Sequence, residues 1–139
     1  MTTLEGGCHC GTIAVRLETP SSVDAMAPRM CGCGFCRKHP AKWFADPAGQ
    51  LVLSSSEDPI RYRFGTKTAD FILCPRCGVI VAAICPIEGA DFGIVNLNCF
   101  ARDDGWGEPD ALSDFDGEGT GDRLSRRKRN WMPIAQIDG

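Results

Sequence analysis

The sequence predicts a mainly β protein, a single small domain built from short antiparallel strands. Short segments that alternate apolar and polar residues recur between turn-forming stretches rich in Gly, Pro, Ser and Asp. The sequence contains no long amphipathic pattern of the kind that indicates a helix. Seven of the nine cysteines fall into three motifs and offer the cross-links that a small core often needs. We therefore expect one domain over residues 1–139.

Successive strands are predicted with short turns between them. Ile13, Val15 and Leu17 alternate with Ala14 and Arg16, which is the period of a half-buried strand. The same criteria predict strands over residues 12–18, 23–30, 42–45, 50–53, 60–64, 69–73, 79–84 and 92–97.

The connections also carry local signals. Asp, Pro, Ala and Gly at 46–49 predict a turn, and the strands at 60–64 and 69–73 form a hairpin across 65–68. Residues 37–41 are expected to form one short helical turn that Pro40 limits. Trp131 is expected to anchor the C-terminal segment to the core.

Composition and charge disfavour several classes of protein. A net charge of -3 gives no bulk attraction for nucleic acid. Residues 1–7 lack the basic and apolar regions of a signal peptide, and the apolar run at 79–85 is too short to span a bilayer. With many thiols and no export signal, we expect a cytoplasmic protein that has no membrane partner.

The composition changes after residue 102. Residues 103–122 are rich in Asp, Glu and Gly and carry no Lys or Arg, which predicts a long surface loop. A basic run of Arg126, Arg127, Lys128 and Arg129 follows. It is either a nucleic-acid patch or a solvated segment that balances nearby negative charge. We favour the second, because no aromatic residue is interleaved with the four cations.

One motif places three thiols within six residues. Cys31, Cys33 and Cys36 have C-x-C-x-x-C spacing, and Gly32 and Gly34 are expected to let the backbone fold back through positive φ. Three thiolates around one metal would leave a coordination position for a substrate. The alternatives are a site closed by a fourth ligand and a set of buried thiols without metal. We favour the open site.

The other two motifs make a complete set of four thiols. Cys8 and Cys10, with Cys74 and Cys77 in C-x-x-C, match a tetrahedral Cys₄ site, whose commonest occupant is zinc. Each pair is followed by a glycine, as suits a tight turn around a metal. Such a site would clamp the first strand to the middle of the chain and stabilise a small core.

Two cysteines and two histidines remain outside these sets. Cys85 and Cys99 lie in or beside apolar strands and are interpreted as buried thiols, although Cys99 could close the triplet or react as a second thiol. His9 is expected to point away from the metal of its neighbours. His39 is either a proton shuttle at the open site or, as we favour, a surface residue.

An open Cys₃ zinc site is suited to capturing a thiol. Zinc lowers the pKa of a bound thiol and holds it as a thiolate, and a thiolate placed beside a small carbonyl compound can add to it. Arg37 and Lys38 adjoin the triplet and could hold a carboxylate of the thiol; charge balance at the surface is an equally good role for them.

These motifs resemble the glutathione-dependent formaldehyde-activating enzyme family, which also includes centromere protein V. The resemblance rests on Gly6 to Gly11, on Cys31 to Lys38 and on Cys74 to Gly78, and it extends to Val95–Cys99 and Phe115–Gly117. It implies a β-tent fold pinned by zinc knuckles and two zinc ions per chain. Cys8, Cys10, Cys74 and Cys77 would hold the structural ion, and Cys31, Cys33 and Cys36 the catalytic one. Gly32 departs from the His that the family often has at this position.

The resemblance implies a carbon–sulfur lyase of the S-(hydroxymethyl)glutathione synthase type. Its substrates would be glutathione or a related small thiol and a small aldehyde such as formaldehyde. Two alternatives stay open, since one fold hosts many functions. One is a non-catalytic zinc module that binds nucleic acid or protein through the basic run. The other is a thiol redox enzyme that uses Cys85 or Cys99.

Overall fold

A computed structural model describes residues 1–101, 106 and 118–138 of the chain, and its fold is mainly β. Two α-helices, α1 and α2, and two 3₁₀ turns accompany the strands. The strands are β1 Thr2–Gly7, β2 Ile13–Thr19, β3 Trp43–Phe44, β4 Gln50–Ser55, β5 Ile60–Tyr62, β6 Asp70–Leu73, β7 Ile80–Ile87, β8 Ala90–Asn96 and β9 Met132–Asp138. The helices are α1 Gly34–Lys38 and α2 Thr120–Asn130, and the 3₁₀ turns are Val23–Ala25 and Leu97–Cys99.

All nine described strands belong to one sheet. Its order is β1-β2-β4-β9-β8-β7-β6-β5, and β3 pairs with β8 beside this path. The pairs are antiparallel, as predicted, except for β4 and β9, which run parallel with Leu51 opposite Ile134. A parallel partner cannot be reached through a tight hairpin and needs a long crossover, and here the chain passes through β5 to β8 and α2 before β9 returns.

The central strand β7 is buried on both faces. Ala82 and Ile84 pack into the main core, whereas Ala83 and Cys85 pack with Trp131 in a second cluster that also contacts Leu124 of α2. Strands covered on both faces read as continuous apolar runs, and this explains the run at 79–85. By contrast, β2 alternates buried and exposed residues as predicted.

Three elements differ from the sequence prediction. Residues 23–30, predicted as a strand, contain only a 3₁₀ turn and one isolated bridge from Arg29 to Trp43. The short helix covers 34–38 rather than 37–41 because Cys33 caps its N-terminus. Strands β1 and β9 and helix α2 were not predicted, since β1 and α2 lack strong apolar periodicity.

The predicted hairpin and the C-terminal anchor are confirmed. β5 and β6 pair antiparallel, with Arg61 opposite Ile72, and Trp131 is buried. Most of the predicted acidic loop at 103–122 lies outside the described residues, but Thr120 to Asp122 begin α2 and are therefore not loop. Within the described part, no helix has both the length and the apolar character needed to cross a membrane.

Asp46 organises the predicted turn between β3 and β4. The hydroxyl groups of Thr19 and Ser21 donate to its Oδ2 at 2.7 and 2.8 Å, and the Ala48 amide donates to Oδ1 at 3.0 Å. Burial opposes ionisation of Asp46, but these donors outweigh it and lower the pKa of the carboxyl group.

Replacing Asp46 by alanine is expected to lower the free energy of unfolding at pH 7 by about 1–3 kcal/mol. The buried Thr19 hydroxyl would lose its acceptor. Because the folded pKa is depressed, the contribution of the carboxylate is present above the unfolded pKa of about 4 and is lost as the pH falls through the folded pKa. Urea denaturation at several pH values should therefore show wild type and Asp46→Ala converging in acid. A constant difference would contradict this.

Candidate metal centres and the adjoining cavity

Four cysteines from two turns come together as the sequence predicts. Cys8 and Cys10 lie between β1 and β2, Cys74 and Cys77 lie between β6 and β7, and their four sulfur atoms all lie within 4.8 Å of one another. Cys10 Sγ is 3.8 Å from Cys8 Sγ and 3.6 Å from Cys74 Sγ. This first cluster could hold a metal ion.

The two turns are built alike. The Cys8 amide donates to Ile13 O and the Cys74 amide donates to Val79 O, each at 3.0 Å and each across five residues. Backbone amides then point at the sulfurs: Ile13 N is 3.2 Å from Cys8 Sγ, and Cys77 N is 3.4 Å from Cys74 Sγ. Amides directed at sulfur favour thiolates.

The glycine after each pair is required by conformation. Gly11 has φ +89° and Gly78 has φ +78°, in the left-handed region that other residues rarely adopt. This confirms the sequence interpretation of these turns. The triplet differs, because neither Gly32 nor Gly34 is among the described residues of positive φ. The expectation of left-handed glycines there was wrong, and the chain turns instead by starting a helix.

Cys31, Cys33 and Cys36 form the second cluster, with their sulfurs within 4.8 Å of one another. Cys33 precedes α1, and its Sγ accepts the Cys36 amide at 3.4 Å, so that a ligand candidate also caps the helix. Cys31 Sγ in turn accepts the Cys33 amide at 3.5 Å. This second cluster could also hold a metal ion, and within the described ranges no fourth Cys, His, Asp or Glu joins it.

The surroundings shift the pKa values of individual thiols in both clusters. The amide of Val79 lowers the pKa of Cys77 to about 6. In the second cluster, the hydrogen bond with Cys31, burial and the charges of Cys31 and Cys33 raise the pKa of Cys36 strongly. Three thiolates this close repel one another, and a bound cation would remove that repulsion.

The second cluster opens onto a cavity of about 310 Å³, which we call the triplet cavity. Ligand sites of small molecules begin near this size, at roughly 300 Å³. Its walls include all three thiols, the aromatic rings of Trp43, Phe64, Phe71 and Trp131, and polar residues of the 65–68 turn. The rings of Phe35, Phe64 and Phe71 pack against one another, with centroids 4.8–5.1 Å apart.

Helix α2 brings part of the basic run to this cavity. Arg126 and Arg127 line it together with Arg123, one turn earlier, and with Glu118. Glu118 accepts from Arg126 Nε at 3.1 Å and lies 3.6 Å from Arg123 Nε. Within residues 126–129, the predicted charge balance is confirmed for Arg126, which pairs with Glu118, whereas the predicted solvation is wrong for Arg127, which is buried.

The outward half of the run is exposed. Lys128 Nζ contacts Glu88 Oε2 at 2.5 Å, and Arg129 is also at the surface. Because Arg126 and Arg127 line the cavity, only Lys128 and Arg129 of this run face solvent. Two cations form a small surface for phosphate binding. Helical periodicity would have separated the two faces, had the helix been recognised.

The remaining cysteines lie apart from the triplet. Cys85 is fully buried in β7, and its Sγ lies 3.5 Å from Arg127 Nη1. Cys99 is buried near the first cluster, where burial raises its pKa to about 12 and the charges of Cys8 and Cys77 contribute. Cys99 therefore does not close the triplet, and both residues are the buried thiols that the sequence predicted.

Neither histidine belongs to a described cysteine cluster. His9, Lys38 and His39 line a separate groove on the other side of α1, and His39 packs on Phe35 with centroids 4.7 Å apart. Arg37 is exposed and lines neither cavity. Among the described residues, the cations that line the triplet cavity are therefore those of α2 and Arg29, and not Arg37 and Lys38, for which carboxylate binding was one of two roles considered from sequence.

Comparison with known proteins gives a family match and a similar solved structure. A family model described as glutathione-dependent formaldehyde-activating enzyme matches residues 3–113. A crystal structure of a Rhodobacter sphaeroides protein, a Northeast Structural Genomics target, is similar with a TM-score of 0.51 and 26% sequence identity. The similarity covers 69% of this chain and 86% of that one. No curated protein matches the chain.

Proposed function

The chain belongs to the glutathione-dependent formaldehyde-activating enzyme family, and on that premise we propose that it is a zinc enzyme adding a small thiol to a small aldehyde. Glutathione and formaldehyde are the proposed pair, and the reaction is a carbon–sulfur lyase reaction of the S-(hydroxymethyl)glutathione synthase type in the direction of synthesis. The observation that carries the proposal is the exposure of the second cluster, without a fourth described ligand, to the triplet cavity.

The sulfur positions fit zinc. Four sulfurs at the usual Zn–S distance of about 2.3 Å in a tetrahedron lie about 3.8 Å apart. The Cys8–Cys10 and Cys10–Cys74 separations of 3.8 and 3.6 Å agree with that spacing. We assign Cys8, Cys10, Cys74 and Cys77 to a structural ion and Cys31, Cys33 and Cys36 to the catalytic ion, which gives two ions per chain.

A zinc ion held by the triplet would supply the acidity that turns a bound thiol into a thiolate. The reaction then needs only proximity and proton transfer. The thiol sulfur forms a bond to the aldehyde carbon, the electron pair of the C=O bond moves to oxygen, and that oxygen takes up a proton to give the hydroxymethyl thioether. The aromatic walls of the cavity exclude bulk water and hold the small aldehyde near the sulfur.

Cobalt replacement tests the open site directly. We expect two cobalt ions per chain, with thiolate absorption bands of which one set shifts as glutathione is added and the other stays unchanged. The shift identifies a thiol entering one coordination sphere. In a second experiment, NMR follows formation of the hydroxymethyl adduct from formaldehyde, which should be faster with the zinc protein than without it. Glutathione that shifts no band would contradict the open site, and an unchanged adduct rate would contradict the reaction.

A further inference from the structure

Arg127 carries a buried charge, which Glu118 on the wall of the same cavity attracts only at longer range. Its side chain is 94% buried, since only 6% is exposed. Nη1 donates to Thr68 Oγ1 at 2.7 Å and contacts Cys85 Sγ at 3.5 Å, and the guanidinium lies 4.8 Å from the centroid of the Trp131 ring. Within the described ranges, no carboxylate lies within 4.0 Å of Arg127 and its Nε has no hydrogen-bond partner. Buried cations are normally paired.

Trp43 presents a second donor of the same kind. It is 4% exposed, and its Nε1 has no hydrogen-bond partner in the described part of the chain. Its backbone is held firmly, with hydrogen bonds to Arg29 of 2.6 and 2.9 Å and pairing of β3 with β8. An indole N–H that is buried usually finds an acceptor. Both Trp43 and Arg127 line the triplet cavity.

Arg127 and Trp43 both offer hydrogen-bond donors, and the cavity that the two residues line also contains the three thiols of the second cluster. A planar, charged acceptor would satisfy a guanidinium and an indole N–H together. Arg29 adds a further cation to the lining. These donors therefore fit a carboxylate. A neutral ligand would leave the Arg127 charge uncompensated beside it.

We propose that Arg127 and Trp43 bind a carboxylate of the thiol substrate while its sulfur reaches Cys31, Cys33 and Cys36. The two residues determine specificity: they select thiols that carry a carboxylate over neutral thiols of similar size. This inference rests on the proposed function, because it assigns the anionic end of the substrate to the same cavity. It places recognition on α2 and β3, outside the cysteine motifs.

Carboxylate recognition can be measured without any bond between sulfur and metal. The zinc-loaded protein would be titrated by calorimetry with S-methylglutathione and with its dimethyl ester, neither of which can form a thiolate. We expect the free acid to bind on the order of tenfold or more tightly than the diester. Arg127→Gln should remove most of that preference. Trp43→Phe, which deletes one donor and keeps the ring, should reduce it by about threefold to tenfold.

Lys128→Gln is the matched control. This substitution removes the same charge from the neighbouring position of α2, but Lys128 pairs with the exposed Glu88. The preference of the Lys128→Gln protein for the free acid should therefore equal that of wild type. Equal affinities of the acid and the diester for wild type would overturn the inference, as would equal losses in Lys128→Gln and Arg127→Gln. If circular dichroism shows that Arg127→Gln does not fold, the acid preference of Trp43→Phe tests the inference instead, and an unchanged preference would overturn it.

The proposed function fails by a different signal. If glutathione and the neutral thiol 2-mercaptoethanol both leave the cobalt bands unmoved, the open site is wrong, whatever the S-methyl ligands do. If both thiols shift the bands but the acid and the diester bind alike, the open site stands and the carboxylate-binding role of Arg127 and Trp43 is wrong.

Discussion

Cys33→Ser is expected to bind one metal ion fewer per chain than the wild type, and to lose the spectral response to glutathione and the proposed synthase activity. Mutation of a residue that only hydrogen-bonds to a metal ligand typically lowers metal affinity by about 10–100-fold. Removal of one of three ligating thiolates should lower the affinity further. Serine is chosen because it is a favoured N-cap residue. It can accept the Cys36 amide as Cys33 Sγ does, so that α1 is kept.

The measurements are metal content after gel filtration, cobalt absorption during a glutathione titration, and adduct formation. Cys85→Ala is the control, since it deletes a buried thiol outside both clusters and should retain both ions. Far-UV circular dichroism of Cys33→Ser should match wild type. Retention of two ions with unchanged bands in Cys33→Ser would contradict the assignment of the triplet.

Cys74→Ser is expected to lower the free energy of unfolding by more than about 5 kcal/mol and to leave the chain largely unfolded at room temperature. Structural zinc contributes on the order of 10 kcal/mol in small domains, and entire domains are stable by only about 5–15 kcal/mol. Cys74 is fully buried and joins the β6–β7 turn to the β1–β2 turn. Its loss therefore releases two distant parts of the sheet at once.

Urea denaturation followed by circular dichroism measures this effect. Arg76→Ala lies in the same turn and is the control, because the Arg76 side chain is exposed and pairs with Glu57 at the surface, a contact that salt screens. A chelator added to wild type should reproduce the instability of Cys74→Ser and should have no further effect on that variant. A Cys74→Ser protein as stable as Arg76→Ala would show that the first cluster is not structural.

The two variants separate the roles of the clusters. Loss of the first ion should unfold the protein and abolish activity together, whereas loss of the second should abolish activity in a folded protein. The difference follows from position. The first cluster joins turns at 8–10 and 74–77, far apart in sequence, whereas all three thiols of the second lie in one local segment around α1.

Prediction from sequence succeeded where the signal is local. The alternation of Ile13, Val15 and Leu17 specifies one buried face of a strand regardless of its neighbours. The hairpin of β5 and β6 likewise needs only two strands and a turn. It failed at residues 23–30, where apolar content suggested a strand but, in the part of the chain that the structure describes, only the isolated bridge from Arg29 to Trp43 forms.

The C-terminal elements could not be predicted because their stability comes from the rest of the fold. Only 11 residues long, α2 buries Arg127 and has no apolar stripe to indicate it. β9 runs parallel to β4, so its pairing involves residues about 80 positions apart and leaves no local mark. In the fold, β9 pairs with β4 and β8, and α2 packs beside β7.

The sequence by itself therefore determined the mainly β class and the grouping of Cys8, Cys10, Cys74 and Cys77 apart from Cys31, Cys33 and Cys36. Thiol spacing and strand period are local properties that survive without coordinates. Only the tertiary structure decided what surrounds the triplet. It removed His39, Arg37 and Lys38 from the cavity and brought Trp43 and Arg127 into it, because the walls of a cavity come from segments that only the folded chain brings together.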